Sequence, residues 1–221
     1  MYQMIRPTIQ IVYDKVVAIS GTYIYLPKDA NKGKAGNHLE SITGIPTSSD
    51  CLDCSDGEAK TFPVKQLQNG MYVPKETIAV TMLTKSLAYE TFENSKCFKK
   101  LSKVLYVPYL REGDRIMYLK PTMIDLTQDK NLCEQLKKDY ELIQQHFIKT
   151  GTLEHTSELG KYLQNRTKGS GGNAPKTRAF YLRTHFIKKF ISHNVPLTVG
   201  ITKPMTNKFK QFIKRCFVNC G

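Results

Sequence analysis

Apolar and polar positions follow a helical period most clearly in the middle of the chain. Between Asp129 and Lys149, apolar side chains recur at spacings of four and three, and charged side chains fill the opposite face. The apolar positions are Leu132, Leu136, Tyr140, Ile143 and Phe147. A single apolar stripe of this kind is typical of an amphipathic helix that packs on a core. The pattern therefore predicts a helix over Asp129 to Lys149.

Shorter runs that are rich in β-branched and aromatic residues predict strands. These runs are Thr8 to Tyr13, Thr22 to Leu26, Thr77 to Leu83, Lys103 to Leu110 and Arg115 to Leu119. A basic loop with glycines follows the second run and leads into a short predicted helix at Asn37 to Glu40. The glycine-rich stretch from Thr167 to Thr177 predicts a mobile basic loop. A second amphipathic run, Phe209 to Phe217, closes the chain.

Strands early in the chain and helices around them favour an α+β or α/β fold with a mixed central sheet. With 221 residues, the chain can form one domain or two lobes that share a cleft. No run approaches the roughly 20 apolar residues of a membrane span, and the N-terminus lacks a signal-peptide core. We therefore expect an intracellular protein, in whose reducing surroundings the cysteines are free thiols. A zinc site is not expected, because Cys51-x-x-Cys54 lacks the second pair of a zinc framework.

The charge balance points to a polyanionic partner. The chain has 33 Lys and Arg against 19 Asp and Glu, a formal net charge of +14. Such an excess attracts nucleic acid, and more generally any polyanionic surface, including an anionic membrane. We expect nucleic acid as the partner, rather than a membrane or a small-molecule substrate.

A group of acidic residues stands out in this basic chain. Phosphodiester hydrolysis needs a metal, an attacking water and a cation near the developing charge. Glu58 and Lys60, two apart in a strand, would share one face, and Asp53 would join them from the preceding turn. Glu58-x-Lys60 is the only acid-x-Lys or acid-x-Arg pattern in the chain. The alternative interpretation is a solvated acidic turn with a surface ion pair.

Four segments resemble, in order, the MutH-type mismatch-repair endonucleases and their GATC-cutting type II restriction relatives. The segments are KGKAGNHLESITGIPTSSDCLDCSDGEAKTFPV, KKLSKVLYVPYLREGDRIMYL, GKYLQNRTKG and RAFYLRTHF. The resemblance implies a restriction-endonuclease-like fold, a mixed sheet flanked by helices. It also implies a catalytic lobe over about residues 1–125 and a DNA-recognition lobe over about 126–221.

The resemblance also implies roles for individual residues. Asp53 and Glu58 would bind Mg²⁺, or Mn²⁺ in its place, with Lys60 near the attacking water or the scissile phosphate. Glu40 would lie at the edge of the site, and Lys100 would be a further active-site lysine. The implied DNA-reading residues are Arg166, Lys168 and Tyr181. The spacing before Glu58 leaves Asp50 and Asp56 as alternatives to Asp53 as the metal ligand.

The activity implied by the resemblance is Mg²⁺-dependent cleavage of a short palindrome such as GATC. The chain would act as a homodimer on DNA or by sequential nicking, as a type II restriction enzyme does. Two alternatives remain open. One is a mismatch-repair nicking enzyme that a partner activates, and the other is an inactive DNA-binding protein on the same fold.

Overall fold

The computed structural model of the protein describes residues 5–26, 33–152, 159–168 and 177–191. The central part of the loop predicted over Thr167 to Thr177 and the whole of the amphipathic run Phe209 to Phe217 lie outside the described residues.

The described residues form nine strands and five α-helices, with a short 3₁₀ helix at Lys85–Ala88. The strands are β1 Tyr23–Tyr25, β2 Glu58–Gln66, β3 Tyr72–Pro74, β4 Ile78–Met82, β5 Lys103–Glu112, β6 Arg115–Tyr118, β7 Thr122–Asp125, β8 Leu163–Lys168 and β9 Thr177–Leu182. The helices are α1 Ile9–Ile19, α2 Lys34–Thr43, α3 Lys96–Leu101, α4 Lys130–Thr150 and α5 Thr184–Phe190.

Two sheets organise these elements. The larger has six strands in the order β1-β6-β5-β2-β3, with β7 paired to β5. Strand β2 runs parallel to β5, whereas the other pairings in this sheet are antiparallel, so the sheet is mixed. The smaller sheet has three antiparallel strands in the order β4-β9-β8.

The central strand β5 is buried on both faces. Val104 and Tyr106 belong to one hydrophobic cluster, together with residues of α3, α4 and α5. Leu105, Val107 and Tyr109 belong to a second cluster, together with residues of α1 and α2. Successive side chains of a strand point to opposite faces, so helices cover both sides of the sheet. The predicted α+β class, with a mixed central sheet flanked by helices, is confirmed.

The strand predicted over Thr8 to Tyr13 is wrong, because this segment opens helix α1. The Thr8 side chain accepts a hydrogen bond from the Ile11 backbone N–H and caps the helix. Within α1, Ile9, Val12 and Val16 are the buried residues, at the helical spacing of three and four. The β-branched composition misled the interpretation, whereas the spacing and the cap together indicate a helix. The first element of the fold is therefore a helix, contrary to the predicted order of strands first.

The other predicted elements in the described residues are confirmed, with shifts at their ends. The long helix begins one residue after Asp129, whose side chain accepts from the Leu132 N–H at 2.9 Å as the N-cap. The four cysteines in the described residues, Cys51, Cys54, Cys97 and Cys133, are free. Within the same residues, no helix combines the length and the apolar character that a membrane span requires.

Candidate active site

The candidate site begins at the first residue of β2, where Glu58 pairs in register with Val104 of β5. Gly57 precedes it at a point of close approach. A Cβ at Gly57 would lie 2.8 Å from the Ile9 Cδ1 and 2.8 Å from the Lys103 carbonyl oxygen. Only a residue without a side chain lets the chain pass between α1 and β5 here. The local sequence Gly-Glu thus delivers a carboxylate directly into the interior of the fold.

The carboxylate of Glu58 is 0% exposed and lies between two ammonium groups. The Nζ atoms of Lys60 and Lys100 each lie 2.6 Å from the same oxygen, Oε1. Lys60 comes from the same face of β2, as the spacing predicted, and Lys100 comes from α3. The second oxygen, Oε2, is buried and has no hydrogen-bond partner among the described residues. A buried carboxylate oxygen without a partner is costly unless a ligand or an ion completes it.

Asp53 approaches Glu58 from the preceding turn. Its Oδ2 accepts a hydrogen bond from the Ala59 backbone N–H at 3.2 Å. Burial raises the pKa of Asp53, and the nearby Glu58 carboxylate adds to the rise, while Lys60 opposes it. The two carboxylates and the lysine therefore act on one another within a single site.

The other two acids of this loop have structural partners elsewhere. Asp56 accepts from the Ile9 backbone N–H at 2.7 Å and pairs with Lys103 at 2.6 Å. Asp50 pairs with Arg6. Asp53 is therefore the acid of the loop that faces Glu58, and neither alternative takes its place in this structure.

The segment before α1 holds the loop that carries Asp53. The Arg6 guanidinium donates to the Leu52 carbonyl oxygen at 3.0 Å, next to Asp53. The Ser55 backbone N–H donates to the Pro7 carbonyl oxygen at 3.1 Å. We call residues 6–9 the N-terminal strap, because its contacts with Asp50 and Asp56 lie on either side of those with Leu52 and Ser55.

Glu40 lies on α2, which packs against β2. Gly36 faces Thr61 of β2, where an added Cβ would lie 3.6 Å from the hydroxyl oxygen. Burial raises the pKa of Glu40, and the charge of Asp53 raises it further. A cleft of about 310 Å³ lies beside Glu40, lined also by Asn37, Ser41 and Thr47. Glu40 therefore stands at the edge of the site, beside an open polar cleft.

The predicted DNA-reading residues lie on the three-stranded sheet. The guanidinium carbon of Arg166 in β8 lies 5.8 Å from the centre of the Tyr181 ring in β9. Arg166 also donates to the hydroxyl oxygen of Thr77 at 2.9 Å. Lys168 is exposed at the end of β8. The structure thus brings Arg166 and Tyr181 together, and it places all three predicted residues on a different sheet from Glu58 and Lys60.

Sequence reasoning missed the residue that anchors β8. Asp139 of α4 is fully buried and accepts from three consecutive backbone N–H groups, those of Lys161, Tyr162 and Leu163, at 2.6 to 2.9 Å. Gln135 donates a fourth hydrogen bond to it at 2.9 Å. The acid sits on the apolar side of a helical stripe, and that position was the available signal, since a buried acid needs hydrogen-bond partners.

The donor set of the site fits a divalent metal ion. Mg²⁺ takes oxygen ligands, usually one or two carboxylates, and completes its shell with water and phosphate oxygens. Asp53 and the unpaired Oε2 of Glu58 are oxygen donors of this kind. In the described part of the chain, no group of three His, Cys, Asp or Glu side chains could hold a metal alone.

Comparison with known proteins extends the resemblance. Residues 47–139 match the MutH family, described as DNA mismatch repair enzyme MutH. The chain is 27% identical over 203 residues to the type II restriction enzyme Sau3AI of Staphylococcus aureus, covering 81% of this chain and 41% of that protein. It is 34% identical over 156 residues to the DNA mismatch repair protein MutH of Pasteurella multocida (strain Pm70), covering 65% of this chain and 66% of that protein.

The chain thus spans less than half the length of the first relative and about two thirds of the second. Among solved structures it is similar to the restriction endonuclease MvaI–cognate DNA substrate complex, at 11% identity and a TM-score of 0.39. That match covers 82% of this chain and 93% of the other. The region matched by the family includes the loop of Asp53, the start of β2 and Lys100. It ends before β8 and β9, which carry Arg166, Lys168 and Tyr181.

Proposed function

The chain is a member of the MutH-like nuclease family, and from this premise we propose that it is a Mg²⁺-dependent DNA endonuclease of the type II restriction kind. Its substrate is double-stranded DNA with a short palindrome, for which GATC is the first candidate. The observation that carries the proposal is Glu58, a fully buried carboxylate with one oxygen between two lysines and the other without a described partner. A surface ion pair in a solvated turn does not need such burial.

Asp53 and Glu58 would hold the metal ion, with Mn²⁺ able to replace Mg²⁺. When bound, the ion supplies polarisation of the scissile phosphate and lowers the pKa of a water molecule. It also offsets the burial and mutual repulsion that raise the pKa of Asp53.

The remaining chemistry belongs to the chain. Lys60 is 30% exposed, so its ammonium can reach a phosphate oxygen while it stays close to Glu58. In that position, the Lys60 ammonium group stabilises the negative charge that develops in the transition state, and it orients the attacking water. Lys100, 15% exposed, stays paired with Glu58 and holds its carboxylate in place when Lys60 turns towards the substrate. Glu40 would accept hydrogen bonds from water at the edge of the cleft.

Base reading is assigned to β8 and β9. Arginine and lysine side chains that reach guanine edges in the major groove are the commonest specific contacts with DNA. Arg166 is braced by Thr77 and by the ring of Tyr181, which fixes the direction of its guanidinium group. Lys168 extends from the exposed end of the same strand.

Cleavage of supercoiled plasmid in Mg²⁺ tests the proposal, on adenine-methylated and on unmethylated DNA. We expect linear fragments from the wild type and none from Glu58→Gln. The matched control is Glu93→Gln, which removes a carboxylate that is also paired with a lysine at 2.7 Å but is 51% exposed. Mapping the fragment ends gives the recognition sequence.

Other outcomes would change the assignment. Full cleavage by Glu58→Gln would reject the site. Binding without cleavage in Mg²⁺ or Mn²⁺ would leave a DNA-binding protein on a nuclease fold. Because buried substitutions can unfold a protein, thermal unfolding of each variant accompanies the assay.

A second candidate function is a mismatch-repair nicking endonuclease that a partner activates. It is favoured by the similarity to MutH of Pasteurella multocida, which at 34% is more identical to this chain than the restriction enzyme is. Open-circular product alone, without linear DNA at any enzyme concentration, would support this candidate over the restriction activity.

A further inference from the structure

The positive charge of the chain is confined to one part of its sequence. Residues 1–158 contain 20 Lys and Arg and 19 Asp and Glu, so their net charge is +1. Residues 159–221 contain 13 Lys and Arg and no Asp or Glu at all. An even distribution of 19 acids would place about five in this stretch of 63 residues. The excess positive charge that would attract a polyanion therefore lies almost wholly in the acid-free part of the chain.

Within this part, a basic cluster surrounds the ring of Tyr162. The Nζ atoms of Lys161 and Lys189 lie 5.3 and 5.7 Å from the centre of the ring, and the imidazole of His185 stacks on it at 5.8 Å. Lys189 also donates to the Tyr162 hydroxyl at 3.1 Å. Tyr162 itself is 2% exposed, whereas the three basic residues are exposed. The buried ring thus holds three basic side chains together at the surface.

Among the residues that the structure describes, the cluster has no carboxylate of its own. In the described residues, no ion pair involves Lys161, His185 or Lys189. Asp139 lies beneath, but it is fully buried and its oxygens accept from backbone amides and from Gln135. An ammonium group has three donors, and Lys189 uses one of them on Tyr162. Donors therefore remain for an anion from solution.

The cluster lies at the opposite end of β8 from the predicted base-reading end. The six residues of β8 span roughly 17 Å of extended strand. That length is comparable to about five base pairs of duplex, each of which rises 3.4 Å. One strand can therefore present two separate contacts to one duplex.

We propose that Lys161, His185 and Lys189 form a second DNA contact, which binds backbone phosphates of the duplex that flanks the recognition sequence. The inference rests on the proposed function, because it takes DNA as the substrate. It adds a site that positions the duplex without reading bases, since contacts to phosphates carry no sequence information of their own.

The test is equilibrium binding by fluorescence anisotropy, in Ca²⁺ without Mg²⁺, as a function of salt concentration. The variant is Lys161→Gln/Lys189→Gln, and the matched control Lys130→Gln/Lys149→Gln removes the same charge from α4. The probes are duplexes with the mapped site and either two or ten flanking base pairs on each side. A duplex that lacks the site, with the longer flanks, measures non-specific binding.

Each lost phosphate contact lowers the slope of log K against log salt by about 0.9. We expect the cluster variant to lose about 2 from that slope on the long duplexes, with and without the site. On the short duplex it should bind as the control variant does, and the ratio of specific to non-specific affinity should stay unchanged. Equal slopes for the cluster and control variants on the long duplex would overturn the inference, as would a loss confined to the short duplex.

The two proposals fail in different ways. Cleavage by the wild type together with equal slopes rejects the second contact and keeps the nuclease. Salt-dependent loss of binding in the variant, without cleavage by the wild type, keeps the contact and rejects the nuclease. If the wild type does not bind duplex DNA, the second contact is wrong.

Discussion

At the scale of single residues, Glu58 places opposite demands on folding and on function. Full burial disfavours its charge, and two ammonium groups at 2.6 Å favour it. A single lysine would neutralise the charge of the Glu58 carboxylate. That carboxylate would then lose its partner whenever the lysine turned to a substrate. With two lysines on one oxygen, one can move while the other stays, and the buried Oε2 is left without a described partner.

This arrangement predicts non-additive effects on stability. Lys60→Met or Lys100→Met alone should cost less than about 2 kcal/mol, because the other lysine still pairs with Glu58. The double variant leaves a buried, unpaired carboxylate, which costs about 3–5 kcal/mol. Urea unfolding of the wild type, both single variants and the double variant gives the coupling energy.

Adding Glu58→Gln to the double variant should restore much of the lost stability, since a neutral amide replaces the unpaired charge. If the two single effects simply add, the lysines do not share the carboxylate in the way described.

At the scale of elements, the junction between α4 and β8 aligns the candidate recognition strand with the core. Asp139 holds the three amides that precede and open β8, and Gly160 supplies the turn before them. The φ angle of Gly160 is +82°, and a Cβ there would lie 2.2 Å from the Leu163 carbonyl oxygen. The turn therefore needs glycine both for its backbone conformation and for space.

Two glycine substitutions separate these requirements. Gly151→Ala meets a positive φ of 67° with nothing within 4 Å, so it should cost only about 1–2 kcal/mol, the price of the left-handed conformation. Gly160→Ala adds a clash with backbone, so its cost should be clearly larger. Denaturant unfolding measures the loss of stability in each variant. Similar losses would show that the backbone at the α4–β8 junction shifts to accept a Cβ at residue 160.

The sequence predicted the element whose period is strongest and gave the wrong type for α1, where composition and spacing disagree. The stripe of α4 and the pattern Glu58-x-Lys60 led to the correct helix and to the correct pair of neighbours in β2. At α1, β-branched residues suggested a strand, although Thr8 and the spacing of Ile9 and Val12 indicate a capped helix. Composition is the weaker signal, because the packing context determines whether β-branched residues form a strand or a helix.

The candidate site was only partly within reach of the sequence. Its acids and lysines could be named because their spacing and a family resemblance pointed to them. The burial of Glu58 and the meeting of Lys60 and Lys100 on one oxygen depend on how β2, β5 and α3 pack. Nothing local to the sequence places residues 42 positions apart at 2.6 Å.

At the scale of the whole molecule, charge is divided along the chain. The first 158 residues are almost neutral, and they include every residue proposed for catalysis. The remaining 63 residues carry a net charge of +13 and include every residue proposed to read bases or to bind the flanking duplex. Catalysis with acidic groups and attraction of a polyanion are thereby kept in separate parts of the sequence. Under the proposed function, the duplex would be attracted by the second part and cut at the first.

Separation of charge also predicts how stability responds to salt. Seven of the Lys and Arg side chains after residue 158 belong to the described residues, on β8, β9 and α5 or next to them, and like charges that share these elements repel one another. Raising the ionic strength from 0.01 to 0.1 M shortens the Debye length from about 30 to about 10 Å and weakens this repulsion. Relief of about 1 kcal/mol would raise Tm by about 2–4 °C.

Differential scanning calorimetry in NaCl measures this shift. Lys161→Gln/Lys189→Gln should show a smaller increase than the wild type, because less repulsion remains to be screened. A fall in Tm with added salt would mean that ion pairs such as those of Glu58 and Asp56, rather than repulsion, dominate the electrostatic balance.

The N-terminal strap sets a limit on how far an active chain can be shortened. The region that matches the family begins at residue 47, and it contains Asp53, Glu58, Lys60 and Lys100. A fragment cut to that region keeps these four groups but loses Arg6, Pro7 and Ile9, whose contacts hold the loop around Asp53. The smallest fragment that keeps the proposed nuclease activity on its own must therefore include the first helix.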